Sequence, residues 1–148
     1  MTMIQHVWSV LCSRSLIDRE TNNITLFEAI EQVKIGRRPP RQENAPEEGL
    51  LPIRVELVTL WIRSPDNEPT QGRTRSAFVR PSGVMTEAIV EHDIDLRTNL
   101  RNRHRHRFAG IPVREGGRHV FRVDVWNDTR GDWEEVAAVP LEIIFTAD

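Results

Sequence analysis

The sequence has no tyrosine, one cysteine, one lysine and no long apolar run. Each scarcity narrows the reading. Cys12 has no partner for an internal disulfide, whereas secreted domains of this size usually carry an even set, so a reducing, cytoplasmic setting is the expectation. No apolar stretch approaches the roughly 20 residues that cross a bilayer. The opening Met1-Thr2-Met3-Ile4-Gln5-His6 has neither the basic leader nor the apolar segment of a signal peptide. An excess of charge is also missing, because 20 basic and 22 acidic residues leave a formal −2. Nucleic-acid and membrane-surface binders usually carry a strong basic excess, so only local patches remain open to those roles. Lys34 is the single lysine among the basic residues, and arginine supplies the rest along the whole chain. A bias so uniform marks no individual site.

What is present suffices for one folded domain. In 148 residues, 39% are hydrophobic and 28% charged, so the expectation is a single soluble domain over 1–148. The pattern is short apolar or alternating runs broken by turn residues, the pattern of antiparallel sheets. Val7–Leu11 and Ile24–Ile35 read as a first hairpin around Asp18-Arg19-Glu20-Thr21-Asn22-Asn23. Leu26–Glu31 could also be written as helix, but Ile24, Thr25, Val33 and Ile35 favour a strand. Residues 36–49 hold Pro39, Pro40 and Pro46 among charges and read as a long exposed loop. Leu50–Ile62 has bulk on both faces and reads as a central strand. Gly72–Arg80, Val84–Leu96, Arg105–Val113, His119–Trp126 and Trp133–Phe145 complete the set. Seven or eight strands with turn punctuation predict an antiparallel β-sandwich, immunoglobulin-like in the broad sense.

Several phrases of the chain carry a resemblance. They are Leu11-Cys12 closing the first strand, Ile24-Thr25-Leu26-Phe27 after a polar hairpin, and Phe108 to Pro112. A glycine turn then leads to Val120-Phe121-Arg122-Val123, matched to a final Val139-Pro140-Leu141 strand. In these the chain resembles a family of small, uncharacterised bacterial all-β proteins. The resemblance implies the fold and brings no catalytic residue or cofactor with it. The long proline-rich loop and the arginine-histidine run depart from the pattern.

That run, Arg101-Asn102-Arg103-His104-Arg105-His106-Arg107, is the most distinctive segment. Its arginines could bind phosphate or nucleic acid. More simply, Arg101, Arg103, Arg105 and Arg107 share the odd parity of Glu87, Glu91, Asp93 and Asp95, so a hairpin between the two strands would pair opposite charges on one face. The same parity turns His92, His104 and His106 to the other face, where three imidazoles could converge on a divalent metal such as zinc. The spacing of a carboxylate in the cupin pattern is not met, since Gly110 and Ile111 stand where the acid belongs.

Other candidates are weaker. Cys12 reads as a small buried hydrophobe rather than a nucleophile. Asp124, Asp128 and Asp132 lack the spacing of a calcium loop. Trp126 and Trp133 flank the Asn127–Asp132 turn and read either as a cross-strand pair or as an interface. No nucleophile elbow, P-loop or dinucleotide fingerprint occurs in the sequence. The sequence therefore predicts a non-enzymatic binding or assembly module with a protein partner or a second copy. A three-histidine metal site is the alternative, and anion binding by the arginines a weaker one.

Overall fold

Alternating apolar residues and well-placed turns build eleven strand segments and no helix among the described residues. In this computed structural model those residues are 4–36, 50–51, 53–83 and 90–146. Strands β1 (Gln5–Ile17), β2 (Ile24–Ala29), β5 (Val55–Ile62) and β8 (Arg101–Phe108) form a four-stranded sheet in the order β2-β1-β5-β8. A five-stranded sheet contains β3 (Gln32–Ile35), β6 (Thr70–Val79), β7 (Val90–Leu96), β10 (Gly117–Asn127) and β11 (Asp132–Phe145), ordered β3-β11-β10-β6-β7. The short β4 (Leu50–Leu51) and β9 (Ile111–Pro112) pair with each other. Every pairing is antiparallel except β3 with β11. The result is the expected β-sandwich. No helix among the described residues is long and apolar enough to cross a membrane.

The strand count exceeds the expected seven or eight because three expected strands are broken, Arg105–Val113 among them, which divides into β8 and β9. Ile24–Ile35 divides at Ile30 and Glu31, where the chain leaves one sheet for the other. Glu28 takes a left-handed φ of 53° just before the crossing. Ile30 N then donates to Leu11 O on the first sheet, and Glu31 O accepts from Glu142 N on the second. Leu50–Ile62 likewise divides into β4 and β5, and β5 lies between β1 and β8 as a central strand should. Of the predicted 36–49 loop, residues 37–49 lie outside the described residues, as do 84–89 with Glu87.

Between the sheets lies one core. Leu11, Val55, Leu57 and Trp61 face Phe78, Ile94, Phe121, Val123, Leu141 and Ile143 across it. Trp61 is fully buried. Each such side chain stabilises the fold by roughly 1.5–3 kcal/mol relative to exposure. In β10, Phe121, Val123 and Val125 point into the core and Arg122 outward, while Asp124, which strand alternation would leave on a wet face, is fully buried. Gly117, which opens β10, has φ 116°, and a β-carbon at this position would come within 3.2 Å of Pro81, a conformation and a clearance that suit glycine.

The predicted hairpin between the acidic and basic strands does not exist. β7 pairs with β6, and β8 pairs with β5 in the opposite sheet. Parity fixes which face a residue takes but not which strand lies beside it. The acidic residues meet other arginines, since Glu91 is opposite Arg75 and Asp93 is opposite Arg73. The crossover is held by Arg63, whose Nε donates to Leu96 O and whose backbone N donates to Leu100 O.

Candidate functional site

Because β7 and β8 are the facing edges of two sheets, their inward residues meet across the sandwich. His104 is opposite Thr59 and His106 opposite Leu57 on β5, while His92 is opposite the buried Thr74 on β6. These pairings turn all three imidazoles inward. The ring centroids of His92 and His104 are 3.5 Å apart, those of His92 and His106 5.2 Å, and those of His104 and His106 6.5 Å. His106 also packs edge-on against Phe108 at 4.2 Å. The three rings thus lie close together, brought from two sheets rather than from one hairpin.

The cluster is partly buried and electrostatically neutral near pH 7. Burial, then the neighbouring His92 and His106, push His104 down to about 4. Burial also lowers His92, against a small opposing effect of Asp93, and lowers His106 with help from His92. Each neutral ring then has one nitrogen that donates and one that accepts. His92 Nε2 is buried and meets no hydrogen-bond partner among the described residues. As the rings stand, no set of three His, Cys, Asp or Glu side chains among the described residues has donors disposed to hold a metal ion.

The arginines of β8 face the other way, over the outer surface of the four-stranded sheet. Three of the four engage acceptors of the protein itself. Arg107 Nε donates to Glu56 Oε1 at 2.9 Å, Arg105 Nη1 to Ser15 Oγ at 3.4 Å, and Arg103 Nη2 to Asn22 Oδ1 at 2.9 Å. Arg101 lies exposed at the start of the strand. Anions would compete with these internal acceptors for the guanidinium groups, and Glu91, Asp93 and Asp95 sit on the outer face of the other sheet.

These contacts show that the β1–β2 hairpin reaches across the outer face toward β8. Ser15 Oγ donates to Glu56 at 2.5 Å beneath it. Cys12 and Val58 are fully buried although neither belongs to the main core. Together with Ser15 and Glu56 they make a second, small interior. Burial and the nearby Glu56 raise the Cys12 thiol, which fits a packing residue rather than a nucleophile.

Beyond the hairpin the outer face stays open. Trp8 lies opposite Leu60, which lies opposite Arg103, while Ile62 lies opposite Arg101. Trp8, Val10, Leu60 and Ile62 are half-buried and absent from the core cluster. Val7 and Leu100, both 44% exposed, sit at the same end of the sheet. Sequence reasoning missed this apolar patch. Its signal was the bulk on both faces of Leu50–Ile62, which a strand with one wet face would not carry.

Trp126 and Trp133 are directly opposite each other beside the hairpin turn, with centroids 5.4 Å apart in an edge-on arrangement. Arg73 and Arg75 lie over them, Arg75 at 4.6 Å from the Trp133 ring centre. The pair is thus a cross-strand contact capped by cations. A double-mutant cycle of Trp126→Ala and Trp133→Ala is expected to give a coupling of about 0.5–1.5 kcal/mol in chemical denaturation. Strict additivity would show that the rings do not support each other.

Two further histidines went unremarked in the sequence. His119 is fully buried, stacked on Phe78 at 5.1 Å, and donates from Nδ1 to Gly117 O. His6 shares a hydrogen bond with Ser9 at 2.8 Å, and Ser9 shares another with Thr59 at 3.0 Å. Two clefts of about 380 and 390 Å³ lie away from the three-histidine cluster, one beside His6 and Glu134, the other beside Ile30 and Arg118.

No family model and no curated protein matches the chain. Among solved structures it is similar to the N-terminal domain of PorA at 13% identity and a TM-score of 0.25, covering 94% of this chain and 98% of that one. A likeness so slight informs neither fold nor function.

Proposed function

We propose that the protein is a non-enzymatic binding and assembly module of the bacterial cytoplasm that associates with a second copy of itself. The observation that carries this reading is the open end of the four-stranded sheet. There Trp8, Leu60 and Ile62 lie in cross-strand register with Arg103 and Arg101. Tryptophan and arginine around aliphatic residues is the composition of interface hot spots. A two-fold contact places the same patch on both partners, so one apolar surface meets its own copy. The strands of this sheet are spaced by about 4.8 Å and rise about 3.3 Å per residue, so the face is broad enough to contribute to an interface of ordinary size. The single cysteine and the resemblance to small bacterial all-β proteins support the cytoplasmic, bacterial setting.

Sedimentation velocity over a concentration series tests the reading. The wild-type chain is expected to dimerise, and Leu60→Glu to weaken association by about tenfold or more by placing a charge in the patch. A wild-type chain that stays monomeric throughout the series would overturn self-association.

A further inference from the structure

Packing alone does not call for three histidines where the β7 and β8 edges of the two sheets meet. An edge could be closed with valine or leucine, as Ile94 and Leu96 do farther along β7. Instead, His92 comes from one sheet and His104 and His106 from the other, and the buried Nε2 of His92 has no partner among the described residues. A buried nitrogen without a partner is unfavourable unless something else binds it. We propose that His92, His104 and His106 are the ligands of a divalent transition metal of the imidazole-preferring class, such as zinc, bound between the two sheets.

The distances bear on what binding would require. With metal–nitrogen bonds of about 2.0–2.1 Å, two imidazoles on a tetrahedral ion have ring centres about 5 Å apart. The 5.2 Å between His92 and His106 matches that spacing, and the 6.5 Å between His104 and His106 is slightly wide. His92 and His104, at 3.5 Å, are too close. In this close, tilted contact, with 40° between the ring planes, the donors do not surround one point. The adjustment needed is about 1–2 Å at the rings, the scale of a side-chain torsion rather than of a strand shift. Both strands retain their ladder pairing to β6 and β5, so the backbones that carry the ligands are fixed. Burial keeps the imidazoles in the neutral form that donates a lone pair to a metal. Three protein ligands leave a fourth position for water, and the ion would tie the two sheet edges together. This inference does not depend on self-association.

Titration of the chelator-treated chain with cobalt(II) and then zinc at pH 7.5 tests it. The expected result is one equivalent of bound cobalt with the visible absorption of a tetrahedral, nitrogen-rich site, displaced by zinc. His92→Ala and His104→Ala should each weaken binding by more than the roughly 10–100-fold that loss of an outer-sphere partner costs. His6→Ala, outside the cluster, should leave it unchanged. If the alanine variants do not fold, long-range ¹H–¹⁵N spectra of the wild type with zinc give the answer, with shifts expected at the three imidazoles. Absence of saturable uptake, uptake that survives both substitutions, or shifts confined to His6 and His119 would each overturn the proposal.

Discussion

Replacing Asp124 by alanine is expected to lower the unfolding free energy by about 2–4 kcal/mol, the largest loss expected from any single charge among the described residues. Its carboxylate is 1% exposed and accepts from Arg75 Nε and Arg122 Nε, both at 2.7 Å. The two guanidinium groups, 20% and 30% exposed, would lose their charged acceptor where water reaches them poorly. Breaking one side of a buried pair costs more than the pair itself contributes, because the remaining charge stays desolvated. The partial exposure of the arginines holds the estimate at the low end of the range for sealed pairs. Asp124 also sits where the β10–β11 ladder shifts register past Val136, and its side chain ties β6 to β10 at that point. Asp124→Asn should recover part of the loss by keeping one acceptor. Urea denaturation measures the change, and near-ultraviolet circular dichroism should report it too, since Arg75 also covers Trp133. A loss below about 0.5 kcal/mol, the ordinary range for surface substitutions, would refute the argument.

Acidification in the presence of a chelator should destabilise the protein as its buried histidines are forced to take up protons. His104 is held at about 4 in the folded state against 6.5 in the unfolded chain, and His92 and His106 are lowered as well. Between those two values the unfolded chain binds more protons than the folded one, so stability rises with pH across the window. The contribution is complete above about 6.5 and is lost as the pH falls toward 4. For His104 alone the loss is roughly 1–2 kcal/mol, less than the full linkage value because solvent screens part of the ring. Asp95 is held at about 2 by hydrogen bonds from Arg97, so its effect belongs to a lower range of pH. Thermal melts from pH 7.5 to 4.5 should show the decline, and His104→Leu should flatten it. An NMR titration placing His104 at an ordinary histidine value would sink the prediction.

The histidine cluster shows which parts of this structure are legible in the sequence. The face a side chain takes follows from a period of two, and that rule assigned His92, His104 and His106 inward and the arginines outward correctly. The neighbour of a strand does not follow from any local rule. The acidic residues of β7 could have been matched by either of two arginine rows, and the row on β6 is the one they meet. Trp126 and Trp133 could be paired because a short turn fixes register directly. The second interior beneath the β1–β2 hairpin left no local mark, since it depends on Arg103 and Arg105 reaching residues 81 and 90 positions away. Cys12 could be read as a small buried hydrophobe, but not the layer in which it is buried.

The parallel pairing of β3 with β11 imposes an order in time. Ile35 accepts from Thr146, 111 positions later in the chain, and Gln32 is opposite Glu142. During synthesis the β1–β2 hairpin can close as soon as it emerges, whereas residues 32–35 have no strand to join until the far end of β11 has been made. Contacts so distant in sequence form slowly, because a long loop must close before any hydrogen bond is gained. A nascent chain therefore presents a short apolar edge for most of its synthesis, and the last strand both completes the five-stranded sheet and covers it.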